Sequence, residues 1–144
     1  MDIKRIEAWM EYVHQLAFKG TKREGFFPAF KDQAEVFDTV DIVRSKELRD
    51  NYLLRPRYCF YNCQMTVLET HYNYQYYEGY ALNSIGLPIH HAWLVGDGSV
   101  IDPTWEEPGQ IYYGIHIPRE YIRKVILEEE FARDLMFDYL LQEV

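Results

Sequence analysis

Ile89-His90-His91-Ala92-Trp93-Leu94-Val95-Gly96-Asp97-Gly98-Ser99-Val100-Ile101-Asp102 is the stretch that decides how this chain folds. Runs rich in β-branched and aromatic residues flank Asp97-Gly98, a dipeptide suited to the positive φ angles of a type I′ turn, so an antiparallel hairpin is expected. With a two-residue turn, Gly96 pairs with Ser99 and Trp93 comes opposite Asp102. Side chains alternate along a strand, which puts His91, Trp93 and Val95 on one face and His90, Ala92 and Leu94 on the other. Asp102 then shares a face with His91, as its diagonal neighbour. A three-residue turn would set Ala92 opposite Asp102 and select His90 instead. Asp-Gly is a strong type I′ signal, and it selects His91.

Working outward, three more segments carry strand character: Tyr76–Leu82 before the hairpin, Ser99–Asp102 as its second arm, and Gln110–Ile117 after it. Turn residues separate them at Ser84–Pro88, Gly96–Gly98 and Glu107–Gly109. Upstream the period changes. Ile3, Ile6, Trp9, Met10, Val13, Leu16 and Ala17 recur at helical spacing, predicting a helix over residues 2–18 that ends at Gly20. Residues 21–30, with Gly25 and Pro28, are expected as a loop. Residues 31–54 fit a helix with a break near Ser45, stopped by Pro56. A further helix is expected from Cys59 to Thr70, a short one over 118–124, and a closing one over 128–143 that Glu128-Glu129-Glu130 begins. Helices first and an antiparallel sheet second indicate an α+β class, with residues 1–144 forming a single domain and the cysteine-bearing helix packed on the sheet.

Composition narrows the function. A chain of 144 residues can bury about 68–70% of the surface its unfolded form exposes, enough for a core without staples. The net charge of −8, with scattered lysines and arginines, argues against nucleic-acid or anionic-membrane partners. No 18-residue apolar run and no leader-like start are seen, so a cytoplasmic protein is expected. The tyrosines between Tyr72 and Tyr80 alternate as a two-faced strand does, and without basic neighbours they do not suggest base stacking.

The two cysteines, in Tyr58-Cys59-Phe60-Tyr61-Asn62-Cys63, differ by position. Phe60, Cys63, Gln64, Val67 and Leu68 follow i, i+3, i+4, i+7 and i+8 spacing, which puts Cys63 on the buried stripe. Cys59 falls in the first helical turn, where unpaired N–H groups and the helix dipole favour a thiolate nucleophile. An imidazole that takes the thiol proton and a carboxylate that orients the ring complete the chemistry, and His91 with Asp102 supply both.

Cys59, then Glu78-Gly79-Tyr80-Ala81, then His91-Ala92-Trp93, then Asp102-Pro103-Thr104-Trp105 resembles the transglutaminase-like group of the papain-like cysteine enzymes. The resemblance covers about residues 56–117 and extends to small bacterial and phage members, with Asn62 three residues after the cysteine and a later Tyr-Tyr-Gly strand. It implies a papain-like core and a Cys59, His91 and Asp102 triad that transfers or hydrolyses an acyl group through a thioester. The chain shows no acidic calcium loop and no obvious glutamine ahead of Cys59. The Cys59 backbone N–H can supply one oxyanion donor, with Asn62, Gln64 or Tyr58 as candidates for another. Asn62 can equally satisfy a helix end.

The expected substrate is a peptide, protein or small amide, with no cofactor. Cys59, His71, His90, His91 and Asp102 are zinc-ligand types, but without paired spacing no metal is expected, and a metal-dependent hydrolase stands third. His14 and His116 read as surface or packing residues. The alternative to an enzyme is a non-catalytic binding module with an aromatic cleft around Trp93, Trp105 and Tyr113.

Overall fold

The computed structural model describes residues 3–52, 55, 57–69 and 71–141. In chain order its elements are α1 (Ile3–Phe18), α2 (Phe26–Gln33), β1 (Glu35–Phe37), α3 (Ile42–Asn51), α4 (Cys59–Leu68), β2 (Gln75–Leu82), β3 (Pro88–Gly96), β4 (Ser99–Ile101), β5 (Ile111–Ile117), α5 (Arg119–Glu129) and α6 (Met136–Leu141). Among the described residues this is an α+β arrangement of six helices and one five-stranded antiparallel sheet. None of the helices is long and apolar enough to cross a membrane.

The hairpin forms as its turn demands. Asp97 and Gly98 have φ of 53° and 79°, Gly96 pairs with Ser99, and Leu94 pairs with Ile101. Strand order is β1-β5-β2-β3-β4, so β5 returns beside β2 rather than extending the hairpin. Phe37 of β1 pairs with Tyr112 on one side of the sheet, while Val40, three residues on, bridges Val100 of β4 on the other. Three residues span at most about 10 Å, so the sheet must roll until its two edges nearly meet.

Rolling gives the sheet an inner and an outer face. Tyr77, Ala81, Trp93, Val95, Val100 and Tyr112 form the inner cluster, with Phe37, Val40 and Trp105 packed against it. The outer face carries Tyr76, Tyr80, Leu82, Ala92, Leu94, Tyr113, Ile115 and Ile117, covered by buried residues of the helices such as Met10, Phe26, Phe30, Cys63 and Phe137. The inner space is tight. At Gly114 an added Cβ would lie 2.6 Å from both the Glu78 carbonyl and the Trp93 ring, so only glycine lets this indole lie across β5.

Several helix boundaries differ from expectation. Residues 26–33 form α2 rather than a loop, because Pro28 sits in the first turn, where a missing N–H breaks no helical bond, and Phe26, Phe27 and Phe30 all become buried. Residues 31–54 are not one helix. Val36, Phe37 and Val40 fit a helical stripe, but sheet edges take them, and the Asp41 side chain then starts α3 by accepting from the Arg44 N–H at 3.0 Å. Ser45, expected as a break, lies buried inside α3. Glu128-Glu129-Glu130 closes α5, with Glu130 in the left-handed conformation, instead of opening the last helix. That helix is confined to Met136–Leu141, and Glu78 caps it from β2 by accepting from the Leu135 and Met136 N–H groups at 2.8 Å. Asp2, Leu53, Leu54, Pro56, Thr70, Gln142 and Glu143, which the expected bounds also include, lie outside the described residues.

Candidate active site

Cys59 is the first residue of α4, and Tyr58 before it offers no side-chain cap. The Asn62 N–H, bonded to the Tyr58 carbonyl at 2.8 Å, is the first to reach one turn back. The N–H groups of Cys59, Phe60 and Tyr61 have no intrahelical acceptor, which leaves the positive end of the helix beside the thiol. Cys59 is 7% exposed. Cys63, one turn on, is fully buried and its thiol donates to the Ala92 carbonyl at 3.6 Å. That contact seats α4 against β3. Because β4 pairs only with Leu94–Gly96, the half of β3 from Pro88 to Trp93 has, among the described residues, β2 as its single strand neighbour and is open to the helix.

His91 lies on this open half, 1% exposed. Its Nε2 meets Asp102 Oδ2 at 2.9 Å, which leaves Nδ1 unengaged by the carboxylate, and Cys59 lies close enough to the ring to favour its charged form. Burial pushes the imidazolium down, but the Asp102 charge and hydrogen bond, joined by Cys59, outweigh it and hold His91 up at about 9. His90 points to the outer face, beside Phe60, Tyr80 and Phe137, with its Nε2 3.4 Å from Glu78 Oε2. Parity and turn length together therefore separate two adjacent histidines, as the hairpin predicts.

Asp102 is 1% exposed and fully engaged. Oδ2 accepts from the Tyr112 hydroxyl at 2.8 Å as well as meeting His91, while Oδ1 accepts from the Thr104 and Trp105 N–H groups at 3.2 and 3.3 Å. Its own N–H donates to Ser45 Oγ at 2.9 Å, and that hydroxyl donates to the Asp41 carbonyl at 2.7 Å. Tyr112 in turn accepts from the Gly109 N–H at 2.8 Å. Burial and the neighbouring Asp102 both push the Tyr112 phenol upward, so it stays a donor. Trp105 stacks on the His91 ring, with centroids 3.8 Å apart and planes 15° from parallel, and Arg49 Nη1 holds its carbonyl at 3.2 Å.

The other expected site residues scatter. Asn62 is buried with both amide hydrogens committed, to the Arg55 carbonyl at 2.8 Å and Thr104 Oγ1 at 3.0 Å, so it ties α4 to the Asp102 loop rather than presenting an oxyanion donor. Gln64 is also spent, donating to the Tyr76 hydroxyl at 3.0 Å and the Arg133 carbonyl at 2.6 Å. Tyr58 is exposed at the helix start, with the Arg55 guanidinium 5.9 Å from its ring. Trp93 and Trp105 belong to the inner face, whereas Tyr113 lies on the outer one, packed on Phe30 with its hydroxyl donating to Glu7 at 2.8 Å. The three therefore do not form a common cleft. Trp93 is wholly enclosed, and its indole N–H has no partner among the described residues.

Ser45 and Tyr112 are the functional-site residues that sequence reasoning missed. Of the metal-ligating types, Glu78, His90 and Asp134 converge on the outer face, with ligand atoms within 4.8 Å of one another. Both Glu78 oxygens already accept from the α6 N–H groups, and Oε1 also accepts from Tyr76, so the carboxylate is occupied as a helix cap. His14 is a buried packing residue, with Nε2 2.8 Å from the Tyr80 hydroxyl. His71 is exposed and His116 half-buried. Compared with models of known protein families, with curated proteins and with solved structures, the chain matches none of them.

Proposed function

We propose that this protein is a thiol-dependent hydrolase or acyltransferase that acts on an amide bond through Cys59, His91 and Asp102, on a transglutaminase-like variant of the papain-like core. The observation that carries this is His91, whose ring has Asp102 at 2.9 Å on Nε2 and Cys59 near enough to favour its charged form. In the proposed cycle the resting pair is an imidazolium and a thiolate, the thiol proton already held on His91 Nδ1, and the sulfur bonds to the substrate carbonyl carbon. The carbonyl electrons move onto oxygen, which the uncapped N–H groups of the α4 first turn can stabilise. His91 then returns its proton to the leaving amine as the C–N bond breaks and a thioester forms. Water or a second amine attacks the thioester, losing a proton to His91, and the thiolate is regenerated. Asp102 keeps a proton on Nε2, so the proton that His91 gives to the leaving amine is the one on Nδ1.

The test is alkylation of the folded protein with iodoacetamide at pH 7, read by peptide mass. Cys59 is expected to label far ahead of Cys63, whose thiol burial pushes up most, with the nearby charges of Asp102, Cys59 and Glu78 adding to it. His91→Ala slows the Cys59 reaction. Equal, sluggish labelling of both thiols would overturn the proposal. The enclosure of His91 beneath Trp105 favours one second reading, a non-catalytic binding module on the same fold. Under that reading Cys59→Ala leaves biological activity intact, and no acyl adduct forms on Cys59 in cell extract.

A further inference from the structure

An open groove of about 420 Å³ begins one strand step from His91, lined by Ser84, Ile89, Thr104, Trp105, Glu106 and Glu107. Thr104 and Trp105 connect it to the site, the first by its bond from Asn62 and the second by stacking on His91. Ile89 sits two residues before His91, hence on the same face of β3. Continuing that alternation outward, Leu87 follows Ile89, and Ile85 lies at the turn beyond. Exposure climbs along this track, from 1% at His91 to 37% at Ile89, 52% at Leu87 and 76% at Ile85. Ile89 lines the groove itself, and Leu87, whose carbonyl accepts from the N–H of the groove residue Asn83 at 2.9 Å, extends the same exposed apolar edge.

The opposite wall is acidic. Glu106 and Glu107 are exposed, and among the described residues neither has an ion-pair or hydrogen-bond partner. Arg49, which shares a small pocket with Glu106 and Trp105 on the other side of this loop, donates to the Trp105 carbonyl. No lysine or arginine lines the groove. We propose that the groove binds an extended polypeptide segment in which lysine or arginine side chains face Glu106 and Glu107 while apolar side chains lie on Ile89 and Leu87. This rests on the thiol-enzyme reading for its direction, since Trp105, which lines the groove, stacks on His91. A polypeptide suits the place because an extended chain sends alternate side chains to opposite sides, here one apolar and one acidic.

The experiment uses two fluorescein-labelled nonapeptides, one alternating lysine and leucine and one alternating glutamate and leucine, with anisotropy read on the Cys59→Ala protein so that no chemistry intervenes. The lysine peptide is expected to bind and the glutamate peptide not to. Glu106→Gln with Glu107→Gln weakens binding about five- to tenfold at low salt, the scale of two partly exposed ion pairs. Ile89→Ser weakens it as well. Glu128→Gln with Glu130→Gln, exposed at the end of α5, controls for the overall charge of −8 and leaves binding unchanged. Equal binding of the two peptides, or equal loss from both glutamine pairs, overturns the assignment. Failure of the thiol reading is seen separately, in alkylation. An inert Cys59 with groove-dependent binding leaves the docking site standing, and a reactive Cys59 without peptide preference removes the groove alone.

Discussion

Asp102→Asn tests the site most directly, because the replacement keeps the shape of a buried side chain and removes its charge. The carboxylate meets four groups, and asparagine satisfies two of them as before: its carbonyl oxygen can accept from the Thr104 and Trp105 N–H groups. Its amide then faces His91 Nε2 and the Tyr112 hydroxyl with donors. His91 must answer by accepting at Nε2 and carrying its proton on Nδ1, the nitrogen needed for the Cys59 proton. In a Ser-His-Asp enzyme the same change costs about 10⁴ in kcat through the wrong tautomer, and a comparable loss of Cys59 acylation is expected. Stability reports the charge independently. His91 rises from 6.5 to about 9 on folding, worth about 3 kcal/mol. A raised histidine stabilises fully below its unfolded value of 6.5, and that stabilisation is lost as pH climbs through about 9. Without Asp102, burial prevails and His91 falls. Urea unfolding followed by circular dichroism should therefore show wild type and Asp102→Asn about 3 kcal/mol or more apart at pH 6, closing to about 1 kcal/mol above pH 9.5, where only hydrogen-bond mismatch persists. A gap independent of pH would refute the reasoning, as would a His91 NMR titration that keeps its midpoint near 9 in the variant.

Three other perturbations have defined outcomes. Ser45→Ala strands the buried Asp102 N–H and should cost about 1–3 kcal/mol in urea unfolding while leaving α3 helical by circular dichroism. Gly114→Ala drives a Cβ into the Glu78 carbonyl and the Trp93 ring, and the melting temperature should fall by about 10 °C or more, against no change for alanine at Gly25, where no atom lies within 4 Å. His14 is lowered to about 4, first by burial and then by His90, so it withholds stability as pH falls from 6.5 toward 4; His14→Gln should flatten wild-type acid lability by about 3 kcal/mol over that window, measured by urea midpoints.

What could be read from the chain follows from how local each signal is. β2 to β5 were legible because turn residues bound them and their side chains alternate. β1 was not, since three residues at an edge become a strand only when β5 lies alongside. α2 was hidden by Pro28, a helix breaker in general but harmless in a first turn. In the site, His91 and Asp102, eleven residues apart, are neighbours through a hairpin whose turn chemistry is written in Asp97-Gly98. Tyr112 needed more: Tyr112 and Tyr113 are equivalent in sequence, and only the pairing of Ala81 with Tyr112 and Tyr80 with Tyr113 across β2 decides which faces inward. Ser45 carries no local signal at all, reaching Asp102 from 57 residues away through the placement of a helix.

The two adjacent histidines explain why the turn matters beyond the hairpin itself. Each has a carboxylate on its own face of the sheet: Asp102 at 2.9 Å from His91 inside, Glu78 at 3.4 Å from His90 outside. Glu78 is tied to the start of α6, and Asp102 to α3 through Ser45, so the two carboxylates belong to different structural tasks. A slip of one residue between β3 and its neighbours would exchange the histidines, presenting His90 to Asp102 and His91 to the helices. Against that slip stand the positive φ angles at Asp97 and Gly98, the Gly79–Gly114 pairing that admits no larger residue, and Trp93, whose ring lies across Gly114 in the present register. A one-residue shift would turn this indole to the outer face and set Ala92 or Leu94 over the glycine. The glycines and the indole thus hold the register, the register selects the imidazole, and the selected imidazole is the one on the inner face, beside Asp102 and beneath Trp105.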